Sequence, residues 1–403
     1  MNNKQDPFFK KIIPFEFKEH NLFFKVSQDL FSSQDIDKGT QRLLRTFLLI
    51  DIQKYKKILD LGCGYGPIGI SLKIDSPQSE VHMVDHDALA LEYSRQNAEL
   101  NNVNVKVYAT LGYDNVPDRN FDLIISNIPA KVGDNVLRHM LLDAQYNLVP
   151  NGMVAIVVID SILEQTKKIL ASNPNTVVSF QKSWPGHTVF HYGFLSTVSL
   201  KDEEDFFSKG LYNRNKDIFS FDNKCFIIET TYNLPEFDTL SYETRLLLDN
   251  LDFLKKQVVN NVIVFNPNQG HVAVLISNLN NPKEILLVDR NLQALEVTKK
   301  NLIINGYSPD NIVIFHQVGI YLKGAQDIDA VIGILPEKEN LEVYEMLLDQ
   351  SIQEITSTGI IVFASSSTVI TLVEKVIHSR KNIGILKRDR VKGKSIILIK
   401  RKH

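Results

Sequence analysis

The sequence predicts an α/β fold of two tandem domains, each a mostly parallel, doubly wound sheet preceded by a β extension. Three observations predict it. Residues 80–101, EVHMVDHDALALEYSRQNAELN, recur at 284–305 as EILLVDRNLQALEVTKKNLIIN, an offset of 204 positions. Eight residues are identical across that offset: Glu80/Glu284, Val84/Val288, Asp85/Asp289, Ala90/Ala294, Leu91/Leu295, Glu92/Glu296, Asn97/Asn301 and Asn101/Asn305. Secondly, strands of nearly continuous Val, Ile and Leu alternate with helical segments, the pattern of a parallel sheet covered on both faces. Thirdly, 403 residues correspond to about two domains, and so long a repeat is a duplicated domain, not a solenoid unit.

In chain order, residues 8–35 alternate apolar and polar side chains and read as β-structure. A helix is expected after DKGT, with Thr40 near its start, through QRLLRTFLLI. A strand at 56–61, a glycine-rich turn and a helix from about Pro67 follow. Next come a strand at 80–85, a helix at 88–102 and strands at 105–110 and 121–127. A helix at 136–149, a strand at 153–159 and a late hairpin over 182–193 complete this half. The charged, turn-forming stretch at 201–216 reads as a linker between a first domain, 1–200, and a second, 217–403. The second half repeats the order, with β-structure at 219–233 and a helix at 242–254. Past the fourth strand the offset grows to 207, pairing Asp122/Asp329, Pro129/Pro336 and Gly152/Gly359, as a three-residue loop insertion would.

Bulk composition narrows the function classes. Hydrophobic content of 44% and charged content of 23% are globular values. Cys63 and Cys225 cannot build a disulfide framework and lack metal-ligand spacing, so no metal is expected and a reducing, cytoplasmic setting fits. No apolar stretch reaches the roughly 20 residues that span a bilayer, and the N-terminus has no signal-type apolar region. The net charge of −2 gives no global attraction for nucleic acid. The C-terminus is locally basic, with Lys387, Arg388, Arg390, Lys392, Lys394, Lys400, Arg401 and Lys402 against Asp389. That run reads either as a phosphate-binding patch or as a solubilising edge strand. Oligomeric state stays open, a monomer being compatible.

The chemistry concentrates in the first half. DLGCGYG, Asp60 to Gly66, lies between a strand and a helix, where residues without a Cβ let a ligand approach the backbone at the carboxyl edge of the sheet. Asp85 ends the next strand and suits the hydroxyls of a ribose. Gly64-Tyr-Gly66-Pro-Ile-Gly69 also fits the pattern of nicotinamide-dependent oxidoreductases, so these residues alone leave the cofactor open.

The stretch Asn127-Ile128-Pro129-Ala130 after the fourth strand, with Asp37-Lys-Gly39-Thr40 upstream, is what the oxidoreductase reading fails to explain. Together with Asp60, Gly62, Gly64, Gly66 and Asp85, these residues resemble the motifs of class I S-adenosylmethionine-dependent methyltransferases. Within them, the chain is similar to the small-domain group of ribosomal RNA guanine-N2 methyltransferases. Some members of that group are tandem duplications with one degenerate copy. The resemblance implies two Rossmann-like domains, S-adenosylmethionine as cofactor and ribosomal RNA as partner. It implies cofactor contacts at Asp37, Gly39, Thr40, Asp60, Gly62, Gly64, Gly66, Asp85, Ala109, Thr110 and Asn127, and catalysis at Asn127, Ile128 and Pro129. Backbone groups of Ala109 and Thr110 are expected to serve the adenine, because Thr110 stands where many relatives carry an acid.

An exocyclic amine conjugated to a base is a weak nucleophile. The Asn127 side-chain carbonyl and the Ile128 backbone carbonyl suit its two hydrogens, favouring a pyramidal nitrogen without an obligatory general base. Two departures bear on the acceptor: Ile128 replaces the first proline of the family's N-P-P, and Ala130 its bulky fourth residue. An aromatic at 130 would contribute about 1–3 kcal/mol of stacking on a base. These departures keep open an acceptor that is a protein amide or small-molecule amine, and a catalytically decayed RNA-binding or assembly protein. Trp184, His187 and His191 lie in the late hairpin, and no catalysis is assigned to the histidines. In the second half Gly62, Gly64 and Asn127 become Asn266, Asn268 and Ile334, so that half is expected not to bind the cofactor.

Overall fold

The strand–helix alternation is realised twice in a computed structural model that describes residues 6–196, 207–256, 258–322 and 327–402. The chain divides into two compact units, Phe8–Tyr212 and Asn213–His403, with Pro7 counted in the second, where its carbonyl accepts from Asn340. Of the stretch read as a linker, 201–206 lies outside the described residues, and Asn213 already opens a strand.

The first unit begins with a hairpin, β1 (Phe9–Phe17) and β2 (His20–Ser27), then α1 (Lys38–Arg45). β3 (Lys57–Leu61), α2 (Pro67–Asp75), β4 (Glu80–Asp85), α3 (Ala88–Leu100), β5 (Lys106–Ala109) and β6 (Phe121–Asn127) follow. α4 (Asp134–Leu142), β7 (Leu148–Ile159), α5 (Asp160–Ser172), β8 (Thr176–Trp184) and β9 (His187–Phe194) complete it. The sheet has seven strands in the order β5-β4-β3-β6-β7-β9-β8, parallel from β5 to β7 and antiparallel at β9 and β8. The strand order reverses between the parallel neighbours β3 and β6, and in such sheets a ligand crevice opens at the carboxyl ends of the strands beside that point. Ile58, Leu59, Leu123 and Ile124 are buried on both faces of these central strands, each contributing about 1.5–3 kcal/mol when fully buried.

Two helices end earlier than the sequence suggests. α1 stops at Arg45, where Thr46 Oγ1 caps the Leu43 carbonyl at 2.7 Å and the chain tightens into three-residue turns. The helix expected to 149 stops at Leu142, passes through a 3-10 turn at Asp143–Tyr146 and becomes strand at Leu148, which pairs with Phe121 before a register shift.

The second unit repeats the plan. It runs β10 (Asn213–Phe221), β11 (Lys224–Thr231), α6 (Tyr242–Asp249), β12 (Asn261–Phe265), α7 (His271–Asn280), β13 (Glu284–Asp289) and α8 (Leu292–Ile304). β14 (Ile312–His316), β15 (Ile328–Ile334), α9 (Leu341–Glu354), β16 (Ile355–Ser366), α10 (Ser367–His378), β17 (Ile383–Val391) and β18 (Lys394–Arg401) follow. Its sheet order, β14-β13-β12-β15-β16-β18-β17, is that of the first. The basic C-terminal run is thus part of the sheet: β18 lies between β16 and β17, with Ile396, Ile397 and Ile399 buried. Five of its eight cations have partners among the described residues: Lys387 pairs with Asp389, Arg388 with Glu374 and Lys394 with Glu243 and Glu337, while Lys392 donates to the Tyr242 hydroxyl and Arg401 to the Ile355 carbonyl.

The identities between the halves are largely framework. Asn97 accepts from the Lys25 N–H and donates to the carbonyls of Lys25 and Tyr65, locking α3 to β2 and to the loop after β3. Asn301 does the same with Glu229 and Gln269. Asn101 and Asn305 clamp Phe23 and Ile227, and Asp122 and Asp329 each accept two N–H groups entering β3 and β12. No helix among the described residues is long and apolar enough to cross a membrane.

Candidate active site

The loop after β3 is shaped by two glycines. Gly62 has φ +77° and Gly64 φ +56°, a left-handed backbone that costs other L-residues about 1–2 kcal/mol, and a Cβ built on either would meet nothing within 4 Å. The loop is therefore an open cradle. Gly66 serves packing instead, since a Cβ there would lie 2.7 Å from Met83 Cε. Asp85 Oδ2 accepts the Gly64 N–H at 2.9 Å and Asp85 Oδ1 the Asp87 N–H at 3.0 Å, which joins the loop to the end of β4. Burial by itself would raise the Asp85 carboxyl, yet it lies below its usual value because His86 and those N–H groups favour the charged form.

Asp60 is fully buried under the loop. Its Oδ2 accepts the Gly69 N–H at 2.8 Å, and its Oδ1 has no hydrogen-bond partner. Burial pushes the carboxyl up to about 7; the Gly69 bond opposes this and the Asp85 charge adds to it. An orphaned buried carboxylate oxygen beside an open glycine cradle fits a ligand that brings positive charge. Ser94 was missed by the sequence reading. It holds the loop by donating to the Gly64 carbonyl at 2.8 Å, and the hydroxyl retained at its counterpart Thr298 was the available signal.

At the end of β6 the Asn127 side chain is fixed from α1. Its Nδ2 donates to Asp37 Oδ2 at 2.8 Å and to Thr40 Oγ1 at 3.1 Å, leaving Oδ1 as the remaining acceptor. Asp37 also caps α1 by accepting the Thr40 N–H at 3.1 Å. Of these two residues expected at the cofactor, Asp37 Oδ2 thus serves both Asn127 and the helix start, and Thr40 Oγ1 serves Asn127. Gly39 is set by close approach: a Cβ there would fall 2.8 Å from Asp37 Oδ2 and 3.0 Å from His187 Cδ2. Ile128 is buried and its N–H donates to the Val157 carbonyl at 3.0 Å, which orients the peptide; Pro129 is exposed. The Thr110 N–H and hydroxyl proton are donated to the Asp85 and Gly112 carbonyls; Ala109 ends β5 half-buried.

The second unit closes the same place. Asn266 and Asn268 keep the left-handed backbone, at φ +49° and +53°, which asparagine tolerates better than most residues. The Asn266 side chain crosses the position of the cradle and donates to the carbonyl of Ile334, the counterpart of Asn127, at 2.8 Å. Asp289 accepts the Asn291 N–H at 2.8 Å and so caps the turn into α8. One group of metal-type donors among the described residues, Glu80, His82 and Asp118, involves the opposite end of β4. Lys106 and Lys57 already bridge its carboxylates, at 3.0 and 3.3 Å.

Residues 21–183 match the methyltransferase small domain family. The uncharacterized protein YbxB of Bacillus subtilis is 32% identical over 151 residues, 37% of this chain and 74% of that protein. Ribosomal RNA small subunit methyltransferase C of Pasteurella multocida is 40% identical over 132 residues, 32% of this chain and 39% of that protein. Matches to proteins of that name span between 30% and 50% of their own length. A solved T. thermophilus 16S rRNA N2 G1207 methyltransferase, in complex with AdoMet and guanosine, shares the fold at a TM-score of 0.67 and 14% identity, covering 97% of this chain and 98% of that one. The chain belongs to the methyltransferase small domain family, class I S-adenosylmethionine-dependent methyltransferases, with its motifs in the first of two tandem units.

Proposed function

We propose that the chain is an S-adenosylmethionine-dependent N-methyltransferase that acts on an exocyclic guanine amine of ribosomal RNA, with the chemistry in the first unit. The observation that carries this reading is Asn127, whose two amide hydrogens are taken by Asp37 and Thr40 so that its carbonyl is the group offered to an acceptor. S-adenosylmethionine, when bound, supplies an electrophilic methyl group on a sulfonium. The Gly62–Gly66 loop would hold its methionine portion, Asp60 its positive charge and Asp85 its ribose.

The remaining work falls to the chain's own residues. Asn127 Oδ1 and the Ile128 carbonyl accept the two amine hydrogens and draw the nitrogen lone pair out of conjugation with the base. A positioned nucleophile gains most of its rate from proximity and orientation. No base is needed before attack, because the proton that leaves the methylated nitrogen is acidic enough for water. An intact Asn127–Asp37–Thr40 set argues against a decayed, purely structural first unit. The names of the relatives favour ribosomal RNA over a protein amide or a small amine.

The test is methyl transfer from labelled S-adenosylmethionine to ribosomal RNA, followed by nucleoside mass spectrometry. N2-methylguanosine is the expected product, and Asn127→Ala should reduce its rate by about 100-fold or more. Transfer only to protein or small amines would overturn the RNA reading. Absence of S-adenosylmethionine binding would overturn the whole.

A further inference from the structure

Ala130 leaves the site without the aromatic that would stack on a base, and the structure offers one nearby. β8 and β9 form the hairpin on the far side of β7, and its last pair is Trp184 with His187. Register carries the line from the site outward: Asn127 pairs with Val157, Val157 with Val189, and Ile159 with His187. The hairpin tip therefore stands at the same carboxyl edge as Asn127. The His187 ring closes against Gly39, between Asp37 and Thr40, which hold Asn127.

Two cations meet the Trp184 ring, the Arg42 guanidinium at 5.5 Å from its centroid and the Lys182 ammonium at 5.0 Å. Arg42 lies one helical turn beyond Gly39 on α1. Neither cation has a carboxylate partner among the described residues, in contrast to Lys387, Arg388 and Lys394 of the basic C-terminal strands. The acid on the adjoining helix, Asp160, has its N–H on the Gly186 carbonyl at the hairpin turn.

The geometry points to Trp184, with Arg42 and Lys182, as the acceptor-strand site: the indole stacks on a base next to the target nucleotide and the two cations meet the flanking phosphates. This rests on the RNA reading above. β8 is three strands from β6, about 14 Å across the sheet, so the ring suits a neighbouring base and not the one whose amine reaches Asn127. An aromatic face accepts any base, and phosphate charge complements cations that have no acid of their own.

Trp184 is the chain's only tryptophan, so its fluorescence reports this site alone. A short single-stranded, guanosine-containing RNA should quench it saturably, the more weakly the higher the salt. Trp184→Ala should raise KM for RNA about tenfold with kcat and S-adenosylmethionine affinity nearly unchanged, and Trp184→Phe should restore most of the loss. Arg42→Ala should weaken RNA binding and flatten its salt dependence. If RNA is methylated by the wild type without quenching, and Trp184→Ala leaves KM unaltered, this site is wrong while the RNA reading stands. If RNA is neither bound nor methylated, both fall. Quenching by an unrelated acidic peptide as strong as by RNA would also overturn the assignment.

Discussion

Asp37 Oδ2 accepts a 2.8 Å hydrogen bond from Asn127 Nδ2 across ninety residues of chain, while the same oxygen accepts the Thr40 N–H that starts α1. One carboxylate oxygen thus ties the helix start to the orientation of the amide at the end of β6. In the proposed reaction Asp37 is a positioning residue, and its loss should act on kcat. Asp37→Ala is expected to lower kcat about 10–100-fold while the S-adenosylmethionine Kd, measured by calorimetry, changes little. Because Asp37 is also a cap worth about 1 kcal/mol, Asp37→Ser is the informative control. It restores the cap but is too short to hold Asn127, so its stability should recover without its rate. Equal recovery of both would reduce Asp37 to a helix cap.

The second unit suggests a substitution that removes cofactor binding without damaging the fold. Asn266 occupies the place of Gly62 and reaches the carbonyl of Ile334. Gly62→Asn should therefore keep φ positive and leave Tm within about 2 °C, since asparagine tolerates the left-handed region. Its side chain would fill the cradle that is open in the wild type. Calorimetry should show no S-adenosylmethionine binding by this variant. Wild-type affinity in a well-folded Gly62→Asn protein would mean that the cradle is not where the cofactor lies.

The fold was readable from the repeat and from the Val, Ile and Leu runs because both follow from burial, which leaves a periodic trace. Helix ends were less readable. Thr46 and the 3-10 turn at Asp143–Tyr146 stop their helices through local hydrogen bonds that apolar spacing does not encode. Most motif residues were legible as residue types, but their side-chain partners were not. Asp37 and Thr40 read as cofactor contacts, yet only the three-dimensional juxtaposition of α1 with β6 places them on Asn127. The C-terminal basic run read as a phosphate-binding patch or an edge strand; β17, with Lys387, Arg388 and Arg390, is the edge strand, whereas the pairing of Arg388 with Glu374 and of Lys394 with Glu243 and Glu337 depends on long-range contacts that a run of charges does not encode.

Asp60 gives a pH signature. Its folded carboxyl is pushed up to about 7 from an ordinary 3.8. Between those values the folded chain holds a proton that the unfolded chain has lost, so stability falls as pH rises through that window and levels off above it. A cationic ligand favours the ionised form, so S-adenosylmethionine affinity should instead rise as pH passes about 7. Asp60→Asn keeps an acceptor for the Gly69 N–H but has no proton to lose. The first unit's unfolding, followed by Trp184 fluorescence, should then occur at higher temperature than wild type near pH 8, with weaker S-adenosylmethionine binding. Parallel pH profiles for the two proteins would remove Asp60 from the account.

Asn97 and Asn301 separate what duplication kept from what the first unit uses. Each asparagine accepts one N–H and donates to two carbonyls, joining the β extension, the helix after the second parallel strand and the loop after the first. Both are fully buried, so truncation leaves backbone groups without partners in each unit. Asn97→Ala and Asn301→Ala should each cost about 2–4 kcal/mol in denaturant unfolding, in the unit that carries the change. Their functional effects should differ. Asn97→Ala also releases the Tyr65 carbonyl within the proposed cofactor loop, so S-adenosylmethionine affinity should drop with stability. Asn301→Ala loosens the equivalent loop in the unit whose cradle Asn266 fills, and should leave that affinity unchanged. A large loss of S-adenosylmethionine binding in Asn301→Ala would show that the second unit takes part in holding the cofactor.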